Sequence, residues 1–516
     1  MDDWAELGRA LDALAASGSA EVREDGEWLP EFAVLHCEVR GQGKTSLVHL
    51  WSDGRNLTRR ILRIKKQSEQ HIILEVQRFG RSKPSRLEFL RTEGTRSSGR
   101  IARAEFRVRF RRVLSERFPD AIFECLTISP DLGHSFSGLY VRGRMHEGRS
   151  SWAVLAVPPR EGAAGIDGML TFGILWLDWT RSHAERHAVE GLRLFVPEGT
   201  SRFLRERVMS LSSAARTEIF EFREQDGRIH KMDTADGNLE SLLATRRTSE
   251  SVLAAARAAA ERIPVLASAL STETRIEVRA LPGMKEVGFY FRGFEFARWS
   301  IERMLFELVD TRQRFTAGTQ PALERLLRQL NQHRDELASE TNHPLYRAAP
   351  ERWLETIILK DPTRLDAQLD SQHVYSQVPT VTAGDRGVLD LLGVTRRGRL
   401  VVIELKASEN IQMPIQAVDY WLRVRRHQRE GDFQRCGYFV GREIDPRPPL
   451  VWLVAPALQF HSATDRLLKY LSPEIQVTRI GLNENWRRGL RVVYRQQGFP
   501  RAEDSLGRKE KGKRTE

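Results

Sequence analysis

Two apolar runs near the end of the chain carry charged side chains where buried strands rarely have them. Val388–Val394 contains Asp390, and Leu400–Ala407 contains Glu404 and Lys406. Each run has the length of a β-strand, and the short turn between them is basic and contains a glycine. Carboxylate and ammonium groups are costly to bury without partners. We therefore expect this hairpin to hold a working site rather than a plain structural core.

The alternation of side chains along a strand indicates which groups meet. Glu404 and Lys406 lie two positions apart and share a face, Leu405 points the other way, and Asp390 on the paired strand can face both. Hard oxygen ligands of this kind suit Mg²⁺ or Mn²⁺. We expect the ion to bind Asp390, Glu404 and the backbone carbonyl of Leu405. Lys406 would orient the attacking water or stabilise developing negative charge.

Flanking helices offer further candidates for the same site. Glu351 and Glu355 lie four apart on one helix, and either could add a carboxylate, although a solvated helix face would look the same. Gln416 and Tyr420 lie four apart on the next helix and could both face the site, although Tyr420 could equally be core packing. An ordinary surface salt bridge remains the bland alternative for the hairpin charges.

The elements around the hairpin follow a simple order of helix, three strands, helix and strand. Pro350 opens the first helix, which runs to about Leu359, and Pro414 opens the second, which runs to about His427. We predict five strand-like runs here, and these are His373–Val378, Val388–Val394, Leu400–Lys406, Gly437–Val440 and Leu450–Val454.

This pattern resembles the PD-(D/E)XK nuclease superfamily. The match rests on Asp390, then Glu404-Leu-Lys406, then Gln416-x-x-x-Tyr420, and it is closest to the RecB-like branch and to the nuclease domain of the NucS/EndoMS mismatch endonucleases. The resemblance implies an αβββαβ core. It also implies that Asp390 and Glu404 bind the metal, that Lys406 is the catalytic lysine and that Gln416 and Tyr420 form the helix motif.

The upstream acid of that superfamily matches Glu351 best and Glu355 second. The chain departs from the family pattern in having Val388-Leu389, without a proline, before the first acid. The resemblance covers about residues 345–460 and carries over no substrate for the rest of the chain.

Composition indicates a basic protein of several domains. The length of 516 residues and the mass of 59.2 kDa indicate two to four domains. We expect no membrane span, no signal peptide and a cytoplasmic location. Its three cysteines, Cys37, Cys125 and Cys436, form no CxxC pair and no disulfide framework. A formal net charge of +12 favours a polyanionic partner.

Several arginines around the hairpin and the second helix could neutralise phosphates, although solubility is the plainer interpretation. We expect the nucleic-acid-binding set to be Arg396, Arg397, Arg399, Arg423, Arg425 and Arg426.

We predict an α/β protein that is multidomain α+β overall. Residues 1–200 form a β-rich domain, 201–344 a mixed and mainly helical connecting domain, 345–500 the nuclease-like domain, and 501–516 a disordered basic tail. Strands are also expected at Leu170–Leu177 and a helix at about 298–312. No internal repeat is evident in the sequence.

The predicted function is hydrolysis of DNA phosphodiester bonds with Mg²⁺ or Mn²⁺ as cofactor, in DNA repair or defence. RNA stays open as a substrate. The part before residue 345 would recognise the substrate or a protein partner, and a homodimer is expected if two strands are to be cut. Two alternatives stay open: a catalytically silent nuclease fold that binds DNA or acts as a scaffold, and a restriction or phage-defence nuclease subunit.

Overall fold

A computed structural model gives the fold of most of the chain. The described residues are 4–16, 20–25, 27–29, 36–42, 45–51, 56–68, 71–77, 84–91, 95–184, 187–223, 225–234, 241–243, 250–272, 275–280, 286–300, 303–308, 311–382 and 385–498. The predicted disordered tail, 501–516, lies outside them.

The chain forms two compact units, each made of two separate stretches. Residues 1–101 and 248–353 form the first unit, and residues 102–247 and 354–516 form the second. This division differs from the predicted consecutive domains because the chain leaves each unit and returns to it. Such nesting depends on contacts between distant residues, which local sequence patterns do not report.

The first unit contains two antiparallel sheets. Its seven-stranded sheet has the order β2-β1-β7-β6-β5-β4-β3 and packs against helix α1 (Trp4–Ala16). Its strands are β1 (Ala20–Glu24), β2 (Glu27–Trp28), β3 (His36–Gln42), β4 (Thr45–Trp51), β5 (Asn56–Gln67), β6 (His71–Gln77) and β7 (Ser85–Arg91).

The second sheet of this unit has five consecutive strands. They are β15 (Ile276–Ala280), β16 (Glu286–Phe291), β17 (Phe294–Ser300), β18 (Arg303–Leu308) and β19 (Thr311–Arg314). The helices of this stretch are α6 (Glu250–Glu261), α7 (Pro264–Thr272), α8 (Gln320–His333) and α9 (Pro344–Arg347). The prediction of a helix at about 298–312 is wrong, because Met304 and Phe306 are buried while Leu305 between them is half-buried, which is a strand period.

The second unit begins with a mixed six-stranded sheet of order β13-β12-β11-β10-β9-β8. Its strands are β8 (Ala121–Thr127), β9 (Val141–Glu147), β10 (Ser150–Ala156), β11 (Val189–Pro197), β12 (Thr217–Phe222) and β13 (Ile229–Met232). Its helices are α2 (Thr95–Arg117), α3 (Gly162–Asp167), α4 (Met169–Ser182) and α5 (Arg202–Val208). The predicted strand at Leu170–Leu177 is wrong because this segment lies inside helix α4, whose apolar residues are buried on nearly every side.

The second unit ends with a mixed seven-stranded sheet of order β14-β20-β21-β22-β23-β24-β25. Its strands are β14 (Ser241–Leu243), β20 (Leu369–Thr382), β21 (Asp385–Thr395), β22 (Leu400–Leu405), β23 (Leu450–Pro456), β24 (Gln476–Leu482) and β25 (Val492–Gln497). Its helices are α10 (Pro350–Lys360), α11 (Met413–Glu430), α12 (Asp432–Arg435) and α13 (Thr464–Leu468).

The predicted order αβββαβ is confirmed by α10, β20, β21, β22, α11 and β23. The predicted strand at Gly437–Val440 is wrong: these residues form a turn, and Phe439 has a φ of 53°. Tyr438 and Phe439 are nevertheless buried. The apolar run therefore indicated burial correctly, although the residues do not pair as a strand. The chain is therefore a mixed α/β multidomain protein with four sheets among its described residues. None of the described helices is long and apolar enough to cross a membrane.

Candidate active site

Strands β21 and β22 place the two predicted metal-binding acids side by side. Their antiparallel pairing ends at Leu391 and Ile403, so the next positions on the two strands are Asp390 and Glu404. At this point the Leu405 N–H donates to the Asp390 Oδ2 at 3.0 Å. The side chain of Asp390 thus takes a hydrogen bond at the strand end, which fixes its carboxylate next to the neighbouring strand.

A tight turn sets this register. The Gly398 N–H donates to the Thr395 carbonyl at 2.8 Å, and the Thr395 N–H donates to the Arg399 carbonyl at the same distance. Gly398 has a φ of 84°, and a Cβ at this position would lie 2.5 Å from the Glu443 carbonyl oxygen. Glycine is therefore required here by both backbone conformation and space.

Glu404 is the most unusual carboxylate of the site. Its side chain is 2% exposed, and Lys406 Nζ donates to its Oε1 at 2.8 Å. Its other oxygen, Oε2, is buried and has no hydrogen-bond partner among the described residues. A buried carboxylate oxygen without a donor is energetically unfavourable. This oxygen is therefore available to a ligand that supplies positive charge.

The electrostatics of Glu404 point the same way. Burial raises the pKa of this carboxyl well above its ordinary value, and the negative charge of nearby Asp390 raises it further. Lys406 opposes both effects with its charge and its hydrogen bond but does not cancel them. The surroundings of Glu404 thus disfavour its charged form, and a bound cation would favour it.

Helix α11 packs against β22 and carries the two residues predicted from its spacing. Pro414 stands in the first turn, and Gly431, with a φ of 68°, ends the helix in a left-handed cap. The Gln416 Oε1 atom is buried and has no hydrogen-bond partner among the described residues. Burial raises the pKa of Tyr420, and the charges of Glu404 and Asp390 add to this effect. Tyr420 therefore lies within electrostatic reach of both acids. Gln416 holds a buried, unsatisfied amide oxygen on the same helix.

Helix α10 contributes an acid through a glutamine bridge. Glu355 is 1% exposed, and its Oε2 accepts a hydrogen bond from Gln377 Nε2 at 2.8 Å. Gln377 lies on β20 between the pairs Ser376–Leu391 and Val378–Leu389, so it falls opposite Asp390. Glu355 thus contacts a residue of the strand that pairs with the Asp390 strand. Glu351, the first choice from the sequence, is half-buried in the first turn of α10.

The hairpin-turn arginines lie at the far end of the strands from the acids. Arg396, Arg397 and Arg399 precede β22, and Glu404 stands at its other end, roughly 13 Å away at about 3.3 Å per residue. Arg399 Nε donates to the Pro448 carbonyl at 2.9 Å, while Arg396 and Arg397 are exposed. The structure does not bring these three arginines to the acid cluster.

The arginines of α11 mostly make structural contacts. Arg423 is 7% exposed, with its guanidinium 6.0 Å from the Tyr420 ring centroid. Arg425 donates to the Pro446 carbonyl at 2.8 Å, and Arg426 donates to Glu430 at 2.9 Å. Of the six predicted phosphate-binding arginines, Arg423 is therefore the one that the structure places against a site residue.

Asp419 is a charged neighbour of Glu404 that sequence reasoning missed. It precedes Tyr420 on α11, and its negative charge is among the causes that raise the pKa of Glu404. The guanidinium of Arg207 holds its carboxylate, with Nε 2.8 Å from Oδ1. An acid three positions after Gln416 was the only local signal, and its partner lies 212 residues away in sequence.

The donor set fits a hard divalent cation. Asp390 and Glu404 supply carboxylate oxygens, the Leu405 carbonyl is an expected third ligand, and the orphaned Glu404 Oε2 calls for positive charge. Mg²⁺ and Mn²⁺ prefer such oxygen ligands. The arrangement can therefore hold one ion beside a lysine ammonium, which is the chemistry of metal-assisted hydrolysis.

Comparison with protein-family models gives no match for this chain, and comparison with curated proteins gives none either.

Proposed function

We propose that this protein is a metal-dependent nuclease that hydrolyses phosphodiester bonds in DNA. The observation that carries the proposal is the buried Glu404 carboxylate beside Asp390. Its Oε1 accepts a hydrogen bond from Lys406, and its Oε2 has no donor among the described residues. The resemblance to PD-(D/E)XK nucleases supports the same assignment but extends over only about a quarter of the chain.

The residues divide the chemistry among themselves. Asp390 and Glu404 would hold Mg²⁺ or Mn²⁺, which when bound polarises a phosphate oxygen and lowers the pKa of its coordinated water. Lys406 would orient the attacking water and stabilise negative charge that develops on the phosphate. Gln416 would bind a substrate oxygen through its side-chain amide, and Tyr420 would close the apolar side of the pocket.

DNA is proposed as the substrate because the chain has a formal net charge of +12 and so favours polyanions. The remaining parts of the chain, which include two further sheets in the first unit, would select the substrate or a protein partner. RNA oligomers serve as a comparison arm of the test rather than as a second proposal.

The test is a cleavage panel of single-stranded, double-stranded, branched and mismatched DNA, beside matched RNA, in Mg²⁺, Mn²⁺ or EDTA. We expect metal-dependent cleavage of DNA by the natural protein. Asp390→Asn keeps an oxygen that can accept from the Leu405 N–H but weakens the metal site, so it should abolish cleavage. Asp120→Asn, at an exposed acid, is the matched control and should cleave normally.

Full activity in EDTA, or in Asp390→Asn, would contradict the metal mechanism. Tight DNA binding with no cleavage under any condition would instead support a silent nuclease fold. Cleavage confined to RNA would overturn the substrate assignment.

A further inference from the structure

The two mixed sheets of the second unit have the same architecture. In one, β8, β9 and β10 pair antiparallel, β10 and β11 pair parallel, β11 and β12 pair parallel, and β13 closes antiparallel. In the other, β20 to β25 repeat that series of pairings in the same order and the same directions. The helices also correspond. In the first sheet α4 precedes β11 and α5 precedes β12, and in the second sheet α11 precedes β23 and α13 precedes β24.

The two copies meet in a reciprocal manner. Leu211, just after α5, forms an antiparallel bridge with Leu471, just after α13. The Ser212 N–H donates to the Tyr470 carbonyl at 2.9 Å, and the Ser472 N–H donates to the Ser210 carbonyl at 2.7 Å. Each copy thus uses the same position to bind the other, as in an isologous contact between identical subunits.

Ion pairs between the helices follow the same symmetry. Asp419 on α11 binds Arg207 on α5, and Asp178 on α4 accepts from Lys469, just after α13, at 3.2 Å. In both cases an acid on the long helix of one copy meets a cation at the end of the short helix of the other. One hydrophobic core contains α4 and α11 together with residues of both sheets. The two copies therefore share one of the hydrophobic cores of the second unit.

Strand register identifies the residues that occupy the site in the first copy. Leu155 pairs with Leu194 and Arg142, as Glu404 pairs with Leu453 and neighbours Asp390. The Val157 N–H donates to the Phe195 carbonyl, as the Lys406 N–H donates to the Val454 carbonyl. Arg142, Leu155 and Val157 thus stand where Asp390, Glu404 and Lys406 stand in the second copy.

The first copy is unsuited to bind a cation. Arg142 is 6% exposed, and its guanidinium lies 5.0 Å from the Phe136 ring centroid and 5.6 Å from that of Trp176. Its positive charge stands where a metal ligand would be needed, and Leu155 and Val157 offer no side-chain oxygen. The first copy already covers α11 and α13 with its own α4 and α5. A second subunit therefore cannot bind to them in the same manner.

We propose that residues 102–232 and 354–497 form an internal pseudo-dimer with one cutting centre, so that one molecule cuts one DNA strand per encounter. The inference rests on the proposed nuclease function and deepens it: the product of a single encounter with a duplex is a nick. Cutting both strands then requires a second encounter at the opposite strand.

The test has two independent readouts. Calorimetric titration of the full chain with Mn²⁺ should give one site per chain, and Asp390→Asn should lose it. Supercoiled plasmid in excess over protein should accumulate as nicked circles, with linear DNA appearing only after them. Adding Asp390→Asn chains should leave the nicking rate per natural chain unchanged while plasmid remains in excess.

Two equivalent Mn²⁺ sites per chain, or linear DNA formed at the same rate as nicked circles, would overturn the inference. So would loss of nicking on dilution with Asp390→Asn chains, since that would show that two natural chains must act together. Absence of any cutting would contradict the proposed function instead, and the Mn²⁺ stoichiometry would still decide between one centre and two.

Discussion

Glu404 is held in a state that its surroundings make unfavourable. Burial and the charge of Asp390 disfavour its ionised form, and Lys406 compensates only one of its oxygens. Unfavourable local electrostatics of this kind concentrate at sites that bind or react. We interpret this unfavourable environment as one that a bound cation would stabilise by neutralising the charge of Glu404.

The first prediction concerns Glu404→Gln in EDTA. Because the pKa of this carboxyl is raised in the folded protein, the native state keeps a proton that the unfolded state releases as pH rises above its ordinary pKa. The contribution of this carboxyl to folding stability is therefore complete below its ordinary pKa and is lost as pH rises through the raised pKa. Glu404→Gln should remove that fall and be the more stable protein at alkaline pH.

Denaturant unfolding from mildly acidic to mildly alkaline pH measures this effect. Glu443→Gln, at an exposed glutamate, is the control and should follow the natural protein. Identical pH profiles for Glu404→Gln and the natural protein would show that Glu404 is not held as the structure indicates.

The second prediction concerns Lys406→Met. This change removes the ammonium beside Glu404 Oε1 but leaves both carboxylates, so Mn²⁺ binding should persist. Cleavage should fall by on the order of 10²–10³-fold, as when one charge-stabilising donor is lost from an active site. Lys360→Met, at an exposed lysine, should cleave normally. Loss of Mn²⁺ binding in Lys406→Met would assign the lysine to the fold rather than to the reaction.

At this scale, the sequence revealed the residues that local patterns connect. Asp390, Glu404 and Lys406 could be placed together because alternation and a short turn determine a hairpin. Glu355 with Gln377, and Asp419 with Arg207, could not be found this way, since each pair is joined only by tertiary folding.

Among the elements, the β21–β22 hairpin is the one on which the site depends. The sequence predicts its turn from a glycine between two apolar runs, and it predicts α11 from Pro414 in its first turn and Gly431 at its end. The sequence does not predict helix α4, because this helix is apolar on nearly every side and buried between the two copies. The sequence predicts helix at strand β18 because a six-residue run shows too little periodicity to distinguish a helix from a strand.

The third prediction tests this hairpin with Gly398→Ala. The new Cβ would clash with the Glu443 carbonyl oxygen in a left-handed backbone conformation, so stability should fall by about 1–3 kcal/mol. Gly489→Ala is the matched control, because it meets nothing within 4 Å. Denaturant unfolding of both variants gives the comparison. Equal stability of the two would show that the turn does not have this geometry.

At the scale of the molecule, two copies of one architecture share a core, and only one carries the charged set. The sequence did not reveal this repeat because the copies differ at the very positions that define the site, with Arg142, Leu155 and Val157 in the first. The two sheets share strand order and direction although their residues differ at these positions. Topology therefore showed what composition and spacing could not.

The fourth prediction concerns the Arg207–Asp419 pair between the copies. Arg207→Met leaves the partly buried Asp419 without its guanidinium and also removes the pair with Asp167, so stability should fall by about 3 kcal/mol. Because the copies share one core, the loss should shift a single unfolding transition of the second unit. Arg223→Met, at an exposed ion pair with Glu198, should have little effect. Separate transitions for residues 102–247 and 354–516 would contradict the shared core.

Anomalous diffraction from crystals soaked in Mn²⁺ would show directly whether Asp390 and Glu404 bind one ion. We expect one strong peak per chain, roughly 2.1 Å from carboxylate oxygens of both residues, and no peak beside Arg142. The natural protein and Asp390→Asn should differ at this peak alone. A peak that touches neither carboxylate, or two peaks in equivalent positions of the two copies, would contradict this expectation.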